Sequence, residues 1–131
     1  MAIDPLVIIF LSSGLFLGWA LGANDAANVF GTAVGTKMVS WRTAAIICSI
    51  CVLLGALFSG AGTTETLGKL GAISALPGAF MTALSAGFSV FIMTKGGLPV
   101  STSQAIVGAI IGWNVFSQKP TDTGILLKIL S

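Results

Sequence analysis

Four stretches of this chain carry no charged side chain: Pro5–Asn24, Thr43–Thr64, Leu70–Thr94 and Gly96–Gln118. Each is about 20 residues or slightly longer, the length at which an α-helix crosses a hydrocarbon layer of ~30 Å. A water-soluble domain of 131 residues with 8% charged and 55% hydrophobic side chains could not cover its surface with polar groups. The pattern predicts an all-α integral membrane protein, multi-pass in the cell membrane and in contact with membrane lipid. A net charge of +2 is too small to recruit nucleic acid. The first run does not read as a cleavable leader, because only Asp4 precedes it and no short apolar core ends in a cleavage site.

The first segment reads as Pro5 to about Ala23. Gly14, Gly18 and Gly22 stand four apart and predict a bare helix face that a neighbour can approach closely. The second runs from Arg42 to about Gly62 and is followed by a loop, Gly62–Lys69. The third starts near Pro77, a residue suited to a first helical turn, and ends at Lys95-Gly96-Gly97. The fourth runs from near Pro99 to about Ser117. After a loop at Gln118–Asp122, Gly124–Ser131 reads as the start of a fifth. Residues 1–131 are thus expected to form one transmembrane repeat unit. Lys37, Arg42 and Lys95 favour an outside N-terminus by the positive-inside rule. Cys48 and Cys51 form C-x-x-C inside an apolar helix, with no histidine or further cysteine in the chain. A structural metal takes about four ligands, so these read as packing thiols.

Into this apolar background falls Gly22-Ala-Asn-Asp-Ala-Ala-Asn-Val-Phe-Gly31. At ~100° per residue, Asn24, Asp25, Asn28 and Thr32 share one helix face with Gly31 and Gly35. An intramembrane carboxylate costs about 2.5–3.5 kcal/mol on insertion scales and needs compensation. The oxygens of Asn24, Asn28 and Thr32 can join Asp25 around a small hard cation such as sodium. Gly22 and the cap-forming residues after it also allow a broken helix, which membrane depth tolerates only around a buried or water-lined site. The alternative is an interfacial cap, with Asp25 reaching water at the end of a short first helix. The segment Gly31–Lys37 resembles a nucleotide P-loop superficially, but it has one residue too few between its glycines and no preceding strand.

A second polar cluster, Gly96-Gly-Leu-Pro-Val-Ser-Thr-Ser-Gln104, has the makings of a helix start. Two glycines permit a turn, Pro99 sets the entry, and the hydroxyls can cap free N–H groups. A helix N-terminus carries partial positive charge and unpaired donors, so it can hold an anion without arginine. Ser101, Thr102 and Ser103 would add hydroxyl donors, and Ala105, Gly108, Ala109 and Gly112 continue a small-residue face. The alternative is an ordinary N-cap at the membrane surface.

Together these motifs resemble a known family. G-A-N-D-A-A-N-V-F-G-T-A-V-G-T-K is similar to the signature of the inorganic phosphate transporters of the PiT, or Pho-4, type. P-V-S-T-S-Q-A-I-V-G-A-I-I-G resembles their second signature, and G-T-T-E-T-L-G-K-L resembles the segment between. The resemblance implies ion-coupled secondary transport of phosphate by a helical bundle with discontinuous or re-entrant helices, built from two homologous halves of inverted topology. It implies phosphate contacts from Asp25, Ser101, Thr102, Ser103 and Gln104, and sodium contacts from Asn24, Asp25 and Asn28, to which the helical face adds Thr32. No cofactor is expected beyond sodium as the coupling ion.

Two departures qualify it. The chain holds one copy of each motif, which predicts either a fragment or a half-length protein pairing with a second homologous half, in a homo-oligomer. Many members of the family carry histidine where Gln104 stands, and this chain has none, which favours sodium over protons. A carboxylate beside an anion suits phosphate, whose P–OH donates a hydrogen bond that sulfate lacks. A sulfate carrier, a proton-coupled carrier, a cation channel and a phosphate-binding receptor are the competing readings. An enzyme is not expected, for no nucleophile–base pair is visible.

Overall fold

The computed structural model of the protein describes residues 5–70 and 76–130, and five helices account for most of them. In chain order they are α1 (Pro5–Gly35), α2 (Trp41–Leu70), α3 (Leu76–Lys95), α4 (Thr102–Phe116) and α5 (Thr123–Leu130). The protein is an all-α membrane protein. Three of the described helices are long and apolar enough to cross a bilayer, within α1, α2 and α3. At 15 residues, α4 is shorter than the ~20 that a crossing requires.

Two boundaries depart from the sequence reading. First, α1 does not break at Gly22 but continues as one helix of 31 residues through Gly35. Its polar residues satisfy one another at helical spacing, Asn28 donating to the Asn24 oxygen one turn back at 3.1 Å. Second, the expected loop Gly62–Lys69 is the last part of α2. The Thr64 and Thr66 hydroxyls donate to the carbonyls of Gly60 and Gly62, and Glu65 pairs with Lys69 one turn on. Polarity there marks the exposed end of a helix rather than its absence. The boundaries of α3, α4 and α5 fall close to expectation; residues 71–75, Ser131 and the first four residues lie outside the described set.

Three helix ends close the same way. After α1, Lys37 takes a left-handed conformation (φ 61°), with Lys37 N–H donating to Val34 and Met38 N–H to Ala33. Gly97 does the same after α3 (φ 69°), and Gln118 after α4 (φ 53°). This paired bonding satisfies carbonyls that a helix end leaves free. Only the α3 closure uses glycine, the residue that enters this region at least cost.

The packing that organises the molecule is α3 laid against α1, with α4 folded back on α3. Ser13, Ala20 and Asn24 of α1 are buried on one stripe, facing Ala86, Gly87 and Val90 of α3. Gly87 is the point of closest approach: a Cβ there would lie 2.9 Å from the Phe16 ring and 3.2 Å from the Leu17 backbone. Gly78 likewise lies under Trp113 of α4. The stripe expected to receive a neighbour is a different one. A Cβ on Gly14, Gly18 or Gly22, or on Gly108 or Gly112, would meet nothing within 4 Å. Those small-residue faces are open in this chain. Val107 and Ile110 of α4 centre a smaller cluster with Leu67 of α2 and Ile125, Leu126 and Ile129 of α5.

Candidate functional site

The two polar motifs meet where α1 crosses the connection between α3 and α4. Gly97 turns the chain at the end of α3, and Leu98–Ser101 then runs without helical structure to the start of α4. Ser101 is the N-cap, in extended conformation, its hydroxyl oxygen accepting from the Gln104 N–H at 3.4 Å. An unwound segment leaves its N–H and C=O groups to find other partners. Here Asn24 supplies them.

Asn24 is 4% exposed, and both ends of its amide are engaged. Its NH2 donates to Thr94 Oγ1 at 2.9 Å and to the Leu98 carbonyl at 3.4 Å. Its Oδ1 accepts from the Val100 N–H at 3.4 Å and from Asn28 at 3.1 Å. An amide oxygen has two lone pairs, and both are committed in this conformation. For Asn24 to ligate a cation, one of those bonds must be released. The geometry makes it the clamp that holds the unwound segment against α1. Thr94, which anchors the clamp and donates in turn to Val90 at 2.7 Å, was not singled out from sequence. Its hydroxyl within the last turn of α3 before the glycine pair was the available signal.

The next residue along α1, about 100° further round the helix, is half-buried Asp25, which accepts from the Thr102 hydroxyl at 3.1 Å. Thr102 is buried and is the first residue of α4. The carboxylate therefore faces the positive end of a helix dipole, which stabilises an anion there. Helix N-termini are also where oxyanions bind in general, and here Asp25 takes that position. An anion placed there would share it with this carboxylate, and only one that carries a proton could offer it a hydrogen bond.

The remaining predicted residues separate. Asn28 is exposed and turned to Asn24, and Thr32 is exposed further along α1. Ser101 serves the cap, and Gln104 is exposed. Ser103 faces a different space, a cavity of about 480 Å³ between α2, α4 and α5 lined also by Ser59, Thr66 and Val107. The structure thus brings Asp25 to Thr102 and Asn24 to Asn28, and leaves Ser103 on another side of α4. Among the described residues no three His, Cys, Asp or Glu side chains cluster as a metal site. Any cation held here would use one carboxylate with amide, hydroxyl and backbone oxygens, a donor set for hard ions.

Comparison with known proteins agrees with the motifs. Residues 21–130 match the model of the phosphate transporter family. Among curated relatives, proteins named provisionally as phosphate permeases are similar to this chain. That of Pyrococcus furiosus is 38% identical over 130 residues, covering 88% of this chain and 30% of its own length. That of Pyrococcus abyssi is 40% identical over 124 residues, with the same coverage. A third, from Chlamydia pneumoniae, is 35% identical over 126 residues, covering 89% of this chain and 30% of the relative. The chain thus spans about 30% of the length of these relatives. No solved structure matches it. With both motifs inside the matched span and joined in one polar site, this chain belongs to the phosphate transporter family.

Proposed function

We propose that this chain is part of a carrier that moves inorganic phosphate across the cell membrane together with sodium, and that it works with a second homologous half. The observation that carries the reading is the Asp25–Thr102 contact at the N-terminus of α4. It supports an anion site with its own acceptor, suited to a protonated oxyanion such as H2PO4⁻ or HPO4²⁻. Phosphate would take donors from Thr102 and the first N–H groups of α4, and would donate its P–OH to Asp25. Ser101 and Gln104 complete the polar helix start beside it, while Ser103 faces the cavity on another side of α4.

Sodium offsets the repulsion between the carboxylate and the rest of the phosphate charge. Asp25 and Asn28 are its nearest ligands in this reading, with Thr32 and, after release of its clamp, Asn24. Exchange of the Asn24 bonds between backbone and ion would couple ion binding to the seating of the unwound segment. Discontinuous helices around a shared site are a recurring basis for alternating access. The test is radiolabelled phosphate uptake by the full-length protein in proteoliposomes, with sodium and proton gradients imposed separately. Uptake driven by sodium alone supports the reading, uptake driven by protons alone defeats the coupling, and equal inhibition by sulfate defeats the selectivity.

A further inference from the structure

On the face of α1 away from Asp25 lies a groove of about 660 Å³ between the C-terminal half of α1 and the N-terminal half of α2. Its α1 wall runs from Gly22 to Gly35 and its α2 wall from Trp41 to Val52. That is about 20 Å of helix, somewhat more than one leaflet of a ~30 Å hydrocarbon core. The walls are small or apolar, including Ala27, Phe30 and Val34 facing Ala45 and Cys48. The hydroxyl of Ser49 is turned back to the Ala45 carbonyl. Hydrogen bonding along the groove is therefore satisfied, and its occupant must have an apolar body.

The end of the groove at the α1–α2 connection is different. Lys37 stands in that connection, Arg42 in the first turn of α2, and both are exposed. No acidic residue occurs anywhere between Asp25 and Glu65 in the sequence. Asp25 lies on the opposite face of α1, bonded to Thr102, and Glu65 pairs with Lys69 at the far end of α2. Exposed Trp41 stands beside the two cations, the side chain that membrane proteins place at headgroup level. An apolar trough ending in two unbalanced cations complements one kind of molecule, with an acyl body and an anionic head.

We propose that this groove is a binding site for an anionic phospholipid, with an acyl chain along α1 and α2 and the headgroup phosphate at Lys37 and Arg42. Basic pockets between membrane helices recognise anionic headgroups in this way. The groove lies on the apolar face of the same α1 segment, opposite Asp25, and stands whether or not Asp25 and Thr102 bind phosphate.

The test is native mass spectrometry of the purified full-length protein in mild detergent. Phosphatidylglycerol and phosphatidylcholine with identical acyl chains are added at equal concentration. The expected result is preferential retention of phosphatidylglycerol, falling about fivefold for each of Lys37→Gln and Arg42→Gln, as expected for a surface cation at a headgroup. A photoreactive side chain at Ala27 should capture the lipid. Equal retention of the two lipids by the unaltered protein overturns the proposal. So does an unchanged preference in the Lys37→Gln/Arg42→Gln variant, or capture at Ala27 of a segment of the protein in place of lipid.

Discussion

Asp25 and Thr102 lie 77 residues apart in the chain and meet at 3.1 Å, joining the carboxylate of one motif to the first residue of α4 in the other. Neither motif alone distinguishes a binding site from a helix cap. Their contact sets an acceptor and a helix N-terminus on the same small space, which supports the binding site proposed above. A hydrogen bond to a charged group contributes about 1.5–3 kcal/mol, so the consequences of losing it are measurable.

Thr102→Val keeps the shape of a buried side chain and removes its hydroxyl. Phosphate uptake by the full-length protein should fall about tenfold or more, the equivalent of one such bond. Thr102→Ser should restore most of it. Ser103→Ala, altering a residue on the side of α4 that faces α2 and α5, should change the phosphate KM far less than Thr102→Val does.

Asn24 makes a different prediction, on stability. Asn24→Ala removes the partner of the Val100 N–H and the Leu98 carbonyl, part-buried groups on a largely exposed segment, at a cost of about 1–2 kcal/mol. The melting temperature of the purified protein should drop, and amide exchange at Val100 should accelerate. Thr94→Val should act in the same direction and more weakly, with Thr94→Ser close to the original.

Glycine substitutions separate the closed helix face from the open ones. Gly87→Ala drives a methyl group into Phe16 and the Leu17 backbone, and overpacking of this kind costs about 1–3 kcal/mol. Gly14→Ala and Gly108→Ala meet open space within this chain and should leave its helix packing unchanged. If they nevertheless impair the protein, those faces receive helices from the second homologous half proposed above. Thermal unfolding of the purified protein, compared variant by variant, reads both outcomes.

Much of the architecture was legible from sequence because the bilayer imposes it: uncharged runs of a fixed length must be helical. The motif residues stood out for the same reason, being polar where polarity is costly. What stayed hidden were matters of partner and face. The run Gly22–Gly31 holds both helix-breaking residues and a helical polar face, and continuity across it depends on Asn28 reaching Asn24 and on α3 packing alongside. Segment Gly62–Lys69 has the composition of a loop, yet Thr64 and Thr66 bond back along α2. The Gly14–Gly22 stripe fits close packing by spacing alone, but α3 chose the adjacent stripe, where Gly87 allows the approach. Thr94 drew no attention because its role exists only through Asn24, 70 residues away.

In the proposed mechanism Asp25 joins phosphate and sodium in one site. Initial-rate uptake of radiolabelled phosphate into proteoliposomes containing the full-length Asp25→Asn protein under an inward sodium gradient measures that role directly. The substitution keeps size and removes the charge. Uptake should fall to the level of empty liposomes while helix content is retained; sodium-dependent uptake at the unaltered rate would rule out a role for Asp25 in the site.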